Sequence, residues 1–260
     1  MKYFFIFTLL LVSVFSRLDR HFFKSNDSFC PKYILPNWSR LPQYETKNIA
    51  IDEITNQPFS YLTKGKQSFV FVSRDQKWVL KFPRLPRRMM RLAWTRPAPN
   101  AFFENFIQNG KWIYEELGKE TGILYAHLKP TTHLGSIHLI DRFQQHYFLA
   151  LDELPFFIQK YGENYFSYFE KQQNPKPLIE KTVQLFSDLY EKGFIDRDPI
   201  LDKNFGVLID SPFIMDIGQL EKCAQLPPRN EYLQQMTQSL EGKLSQESPE
   251  LLSFYKNLLQ

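Results

Sequence analysis

The amino-acid sequence predicts an α+β fold in two lobes, a small antiparallel sheet with one helix followed by a reduced, mainly helical lobe. Three observations carry that expectation. Paired strand-like runs lie between residues 58 and 154, helical spacing takes over after Pro155, and one short strand pair interrupts the later helices. The 260 residues suffice for one large domain or two small lobes, and 43% hydrophobic with 23% charged residues is ordinary for a globular protein. An aromatic share of 16%, with 25 Phe but only 10 Gly, excludes collagen-like and low-complexity classes. The net charge of +4 is mildly basic and does not imply nucleic acid, so no nucleic-acid partner is expected.

At the start, Lys2 is followed by an apolar run from Tyr3 to Phe15 and by the small Ser16, which is the pattern of an export signal. The run is short for a bilayer span, and Arg17, Arg20, His21 and Lys24 follow it. Residues 1–16 therefore read as a signal, as a membrane anchor, or as a segment packed on the domain. The expected location is exported or membrane-associated rather than cytoplasmic. Residues 17–57, with Pro31, Pro36 and Pro42 and few periodic apolar positions, read as an irregular lead-in. Cys30 and Cys223 allow at most one disulfide and no disulfide framework.

The first lobe is expected over residues 58–154. Phe69-Val70-Phe71-Val72 and Trp78-Val79-Leu80-Lys81-Phe82 flank the polar Ser73-Arg74-Asp75-Gln76, a hairpin signature. Residues 101–117 keep helical spacing through Phe103, Phe106, Ile107, Ile113 and Leu117, with Gly110 as a point where the helix breaks in two. Ser136 to Ile140 and Tyr147 to Leu151 supply two more strands. The second lobe is expected over residues 155–260. Its clearest helix runs over residues 177–192 and ends at Gly193. Val207-Leu208-Ile209 and Phe213-Ile214-Met215 pair around Asp210-Ser211-Pro212, and two terminal helices close the chain, the last opened by Ser248 and Pro249.

The residues that carry chemistry fall in a telling order. Thr63-Lys64-Gly65-Lys66-Gln67-Ser68-Phe69-Val70-Phe71 has a glycine at Gly65 and a small Ser68 in a turn between strands. Lys81 lies on the next strand, where a buried lysine needs an anion. Farther on come Asp196-Arg197-Asp198, Asn204-Phe205-Gly206 and Asp216-Ile217-Gly218. Any one of these is also what a plain turn or a solvated loop aspartate provides; their order is the signal. Together they resemble the glycine-rich loop, the strand lysine, the catalytic loop and the Asp-Phe-Gly segment of protein kinases, and the chain is similar to the atypical protein-kinase-like family over roughly residues 59 to 220.

The resemblance implies a two-lobed protein-kinase-like fold, with residues 58–154 as the sheet-bearing lobe and 155–260 as the helical one. It implies ATP and Mg²⁺ as ligands, Gly65, Ser68 and Lys81 at the phosphates, Asp198 as catalytic base, and Asn204 and Asp216 as metal ligands. Glu115, Glu116 and Glu104 are the candidates for the carboxylate that partners Lys81. Three departures bear on activity: Asp196 replaces the catalytic-loop histidine, Asn204 is one residue farther from Asp198 than the motif has, and no Ala-Pro-Glu segment follows Asp216. The function classes are thus a phosphotransferase with an unknown acceptor, or a catalytically inactive pseudokinase serving as a membrane-associated or exported binding module. Arg84, Arg87, Arg88, Arg91 and Arg96, interleaved with Met, Leu and Trp, suit an anionic membrane, a glycolipid or an acidic protein. His127, His133 and His138 lack the paired spacing of a zinc site.

Overall fold

Side-chain alternation builds the centre of the molecule. In β2 (Ser68–Ser73) and β3 (Trp78–Pro83), Phe69, Phe71, Leu80 and Phe82 turn to one face and are buried there, while Val70, Val79 and Lys81 turn to the other. β1 (Phe59–Lys64) pairs antiparallel with β2 from Phe59↔Ser73 to Lys64↔Phe69, with an irregularity between Tyr61 and Thr63. This computed structural model describes residues 2–47, 49–84 and 100–259.

Around these three strands stand β4 (Ile123–His127), β5 (Ser136–Ile140), β6 (His146–Ala150) and β7 (Phe156–Lys160), in the order β4-β7-β3-β2-β1-β5-β6. Every pairing in this curled sheet is antiparallel except β1 with β5. The expected small sheet with a mainly helical second lobe is therefore overturned: the chain is mixed α and β, and its main sheet has seven strands. The physical reason lies in β4 and β7. Both are nearly continuous apolar runs buried on both faces, so they lack the period of two that marks the half-buried strands. Pro155, read as the point where helices take over, instead leads directly into β7. Five short strands follow: β8 (Glu163–Asn164), β9 (Phe194–Asp196), β10 (Phe205–Leu208), β11 (Ser211–Ile214) and β12 (Leu220–Lys222), in the sheets β11-β10-β8 and β12-β9. The β10–β11 turn falls on Ile209 and Asp210, both at positive φ, rather than on residues 210–212.

The helices are α1 (Lys2–Ser25), α2 (Asp52–Thr55), α3 (Asn100–Glu116), α4 (Gly118–Thr121), α5 (Tyr165–Phe169), α6 (Lys176–Glu191), α7 (Leu201–Asn204), α8 (Arg229–Met236), α9 (Gln238–Glu247) and α10 (Pro249–Leu258). α3 does not break at Gly110; a Cβ there would overlap the Phe157 ring, 3.0 Å from Cε1 and closer still to Cζ, so the glycine lets the helix descend onto β7. α6 buries Leu178, Ile179, Val183, Phe186 and Leu189, and Gly193, at φ +78°, follows its end. Three helices, not two, close the chain, and the Ser248 hydroxyl accepts from the Leu251 amide at 3.3 Å to cap α10.

Two cores result. One face of the sheet packs on α3 and on the helices of the second half. The other holds Phe59, Phe69, Phe71, Leu80, Phe82 and Phe156, and into it residues 26–55 insert Phe29, Tyr33, Ile34, Ile51 and Ile54. The stretch read as an irregular lead-in thus covers the sheet. Cys30 and Cys223 are free thiols. Among the described residues no helix is long and apolar enough to cross a membrane.

Candidate functional site

The sheet face opposite the lead-in core leaves a cleft of about 410 Å³. One wall is the strand floor, with Leu62, Gly65, Ser68, Val70, Val79 and Lys81; the other is made by Lys203, Asn204, Met215 and Asp216. The end of β7 and the residues after it, Gln159 to Gly162, close the back. The strands' alternation explains why Val79 and Lys81 face this space while Leu80 and Phe82 do not.

Lys81 is only 7% exposed, and its ammonium donates to the Met215 carbonyl. Burial pulls its pKa down to about 8, against the attraction of Asp216. Asp216 Oδ1 accepts the Gly218 amide at 3.0 Å, and its Oδ2 faces Gly65, where an added Cβ would lie 3.5 Å away. Asn204 closes the catalytic-loop segment by donating from Nδ2 to the Asp198 carbonyl at 2.6 Å. Its own carbonyl accepts from the Met215 and Asp216 amides at 2.8 and 3.1 Å. The single turn of α7 lies between Asp198 and Asn204 and ends at Asn204, whose side chain reaches back to the Asp198 carbonyl.

Asp198 stands at the rim with its carboxylate 3.1 Å from Lys66 Nζ. Asp196 is buried to 1% on β9, pairs there with Leu220, and accepts the Asp198 amide on Oδ1 at 2.9 Å. Its Oδ2 has no hydrogen-bond partner among the described residues. Burial raises its pKa to about 6; the Asp198 amide opposes the shift, and the charges of Asp216 and Asp198 add to it. The Gly65–Ser68 loop is held on both sides: Gly65 N–H donates to Ser68 O at 2.9 Å, Arg84 Nη1 donates to Gly65 O at 2.9 Å, and Gln67 Nε2 donates to Gly218 O at 2.7 Å.

Of the residues selected from sequence, Gly65, Ser68, Lys81, Asn204 and Asp216 line this one cleft, and Asp198 borders it. Glu115 and Glu116 are not brought to Lys81. Glu115 is exposed, and Glu116 is paired with Lys222 on β12. The charge that meets Lys81 is Asp216; at the end of α3, Glu116 faces Lys222 on β12 and Glu115 faces solvent. Arg84 belongs to the described residues, but residues 85–99, with most of the arginine-rich stretch, lie outside them.

Sequence reading missed Gln159. Its buried amide donates to Thr121 O at 2.5 Å and Ile214 O at 2.8 Å, tying the sheet to β11 at the back of the cleft. A lone polar residue at the end of the Phe156-Phe157-Ile158 run was the available signal. His127 is bound to Leu154 O and Thr131 Oγ1 at 2.6 and 3.1 Å, a structural role. A larger hollow of about 560 Å³ lies by α2 and β5; it is walled by Asp52 and Glu53 and has no lysine or arginine to meet an anion.

Among the described residues no group of three or more His, Cys, Asp or Glu could hold a metal ion. The Asp216 carboxylate and the Asn204 side-chain oxygen are nevertheless hard oxygen donors of the kind magnesium takes when phosphate oxygens and water complete its shell.

No protein-family model matches the chain, and no curated protein matches it. Among solved structures the chain is similar to WbdD, in a co-crystal structure with the kinase inhibitor LY294002, at 10% identity and a TM-score of 0.39. The match covers 76% of this chain and 45% of that one, so the chain spans less than half of that chain's length. A likeness at this level identifies neither a fold family nor an activity.

Proposed function

We propose that the cleft binds ATP with Mg²⁺ and transfers the terminal phosphoryl group to a hydroxyl acceptor, as a small kinase-like phosphotransferase. The observation that carries this reading is Lys81: a lysine 7% exposed, pulled down to about 8 by burial, at the floor of a cleft whose opposite wall holds Asn204 and Asp216. A buried ammonium with one carboxylate nearby calls for an anionic ligand.

In this reading the phosphates lie between the Gly65–Ser68 loop and Lys81. The acceptor oxygen bonds to the terminal phosphorus while the bond from that phosphorus to the bridging oxygen of the diphosphate breaks. The hydroxyl proton passes to Asp198, and the diphosphate leaves. Asp216 and the side-chain oxygen of Asn204 would hold magnesium, which supplies positive charge to the phosphate oxygens. The noncatalytic alternative, a binding module, is favoured by one observation: Lys66 covers the Asp198 carboxylate.

Membrane association or export belongs to the same proposal. It is supported by the exposed Phe7, Val12, Val14, Phe15 and Leu18 on α1, followed by Arg17, Arg20 and Lys24. An anionic membrane, a glycolipid or an acidic protein remains the partner proposed for the arginines from Arg87 to Arg96, whereas Arg84, buried and bound to Gly65 O, belongs to the loop.

Thermal unfolding with and without ATP and Mg²⁺ tests the nucleotide reading. Saturating ligand is expected to stabilise the chain by about 2–3 kcal/mol, or several degrees. The shift is expected to vanish in Asp216→Ala and Lys81→Met, and to weaken as pH rises through about 8, where Lys81 loses its proton. No shift in the unaltered chain would sink the reading. Phosphate transfer that persists in Asp198→Ala would remove that residue as the base, and ATP binding without transfer to any acceptor would select the binding module.

A further inference from the structure

We propose that Lys66 is a phosphate-contacting residue, one that exchanges its ion pair with Asp198 for the terminal phosphoryl group of the bound nucleotide. The assignment rests on the ATP reading above and adds a residue that reading does not use. Its basis is the contrast between a tethered loop backbone and a loose side chain. The loop is tied by Arg84 to its own strand side and by Gln67 to Gly218, so the backbone at Lys66 is held over the acidic wall. The Lys66 side chain itself is 72% exposed, and its one ionic partner among the described residues is Asp198, itself 30% exposed. An ion pair this exposed contributes little, so an arriving anion can take its place.

Lys66 stands outside the cleft lining, which includes Lys64, Lys81, Lys160 and Lys203, and differs from these in its position. Lys64, the neighbour on β1, is committed to Asp27, which also accepts from Tyr61 at 2.9 Å and Arg142 at 2.8 Å. Lys81 is at the floor, bound to the Met215 carbonyl. Lys203 lines the opposite wall beside Asn204. Lys66 alone bridges from the loop to Asp198, where an acceptor hydroxyl must arrive and where the phosphoryl group is transferred. While Lys66 donates to Asp198 Oδ2, that oxygen is occupied and not presented to the acceptor's hydroxyl. Moving the ammonium onto the transferring group frees the base and adds a charge-assisted contact to oxygens that gain charge during transfer.

Calorimetric titration of the full chain with ATP–Mg²⁺ and ADP–Mg²⁺ tests the assignment. The unaltered chain is expected to prefer ATP. Lys66→Met is expected to weaken ATP about tenfold, the worth of one charge-assisted contact, with ADP unchanged. Lys66→Arg should restore the preference, and Lys77→Met, at an exposed lysine of the β2–β3 turn that does not line the cleft, should keep it. An unchanged unfolding midpoint for Lys66→Met, expected of a surface side chain, shows that the variant is folded. An ATP-over-ADP ratio untouched by Lys66→Met, or erased by Lys203→Met instead, overturns the assignment while leaving the ATP reading intact. A chain that binds neither nucleotide removes both.

Discussion

Asp196 and Lys81 are buried ionisable side chains on either side of the same cleft, and each is displaced toward its neutral form by burial. The consequence for Asp196 can be read from the sign of its shift. The folded chain keeps the Asp196 proton up to about pH 6, whereas an ordinary aspartate releases it near 3.8. Below the lower value the folded and unfolded states are equally protonated at this site, and Asp196 has no effect. Above it stability falls, reaching its full loss beyond pH 6. Asp196→Asn keeps an oxygen for the Asp198 amide and removes the charge. It is expected to stabilise the chain by on the order of 1–3 kcal/mol at pH 7.5 and by almost nothing at pH 3.5, measured by urea unfolding at both values. Equal stabilisation at the two pH values would contradict the burial of a charge at Asp196. The sequence marked Asp196 as a departure from a motif; only the pairing of β9 with β12 reveals that it is enclosed.

Gly110 belongs to the scale of elements, because its role depends on how α3 meets β7. Local propensity makes a mid-helix glycine a weak point, and alanine there should help an isolated helix by about 1 kcal/mol. Here the added methyl runs into the Phe157 ring, a side chain 1% exposed with no room to retreat. Gly110→Ala is therefore expected to destabilise by about 1–3 kcal/mol in thermal or urea unfolding; a stabilised variant would show that the helix can lift off the strand. The same scale separates the legible strands from the rest. β2, β3, β5 and β6 lie at or near their sequence-expected places because a solvated or cleft-facing side forces alternation, whereas β1 is a strand the sequence reading did not name. β4 and β7 carry no such period, being covered on both faces. α7 was equally hidden, a single turn of four residues with no periodic signal.

At the scale of the whole molecule, the second core decides what can be removed. Phe29, Tyr33, Ile34, Ile51 and Ile54 cap the sheet, and Asp27 ties the end of α1 to Tyr61, Lys64 and Arg142. Burial works against the Asp27 carboxylate, yet the bonds from Lys64 and Tyr61 and the charges of Lys64 and Arg142 outweigh it and hold its pKa below the usual range. Five buried side chains of this size contribute on the order of 7–15 kcal/mol, comparable with the entire stability of a typical domain. A chain starting at residue 23 is expected to unfold cooperatively, and one starting at residue 58 to lose its thermal transition and expose apolar surface to a hydrophobic dye. A cooperative transition in the shorter chain would mean the sheet stands without its cover.

The order of residues along the chain sufficed to single out Gly65, Ser68, Lys81, Asn204 and Asp216, because their chemistry is local: a turn glycine, a lysine within an apolar strand, and polar groups at the ends of short elements. It sufficed too for α6 and for the strands with one wet face. Three things came from the tertiary structure alone. Glu116 at the end of α3 turns to β12 and not to Lys81, the sheet has seven strands instead of a small set, and Phe29, Tyr33, Ile34, Ile51 and Ile54 cover it. Each depends on burial against segments distant in sequence, and burial on both faces erases the periodic signal by which a strand or helix is otherwise read. The cleft's chemistry was written locally; the walls that enclose it were set by long-range packing.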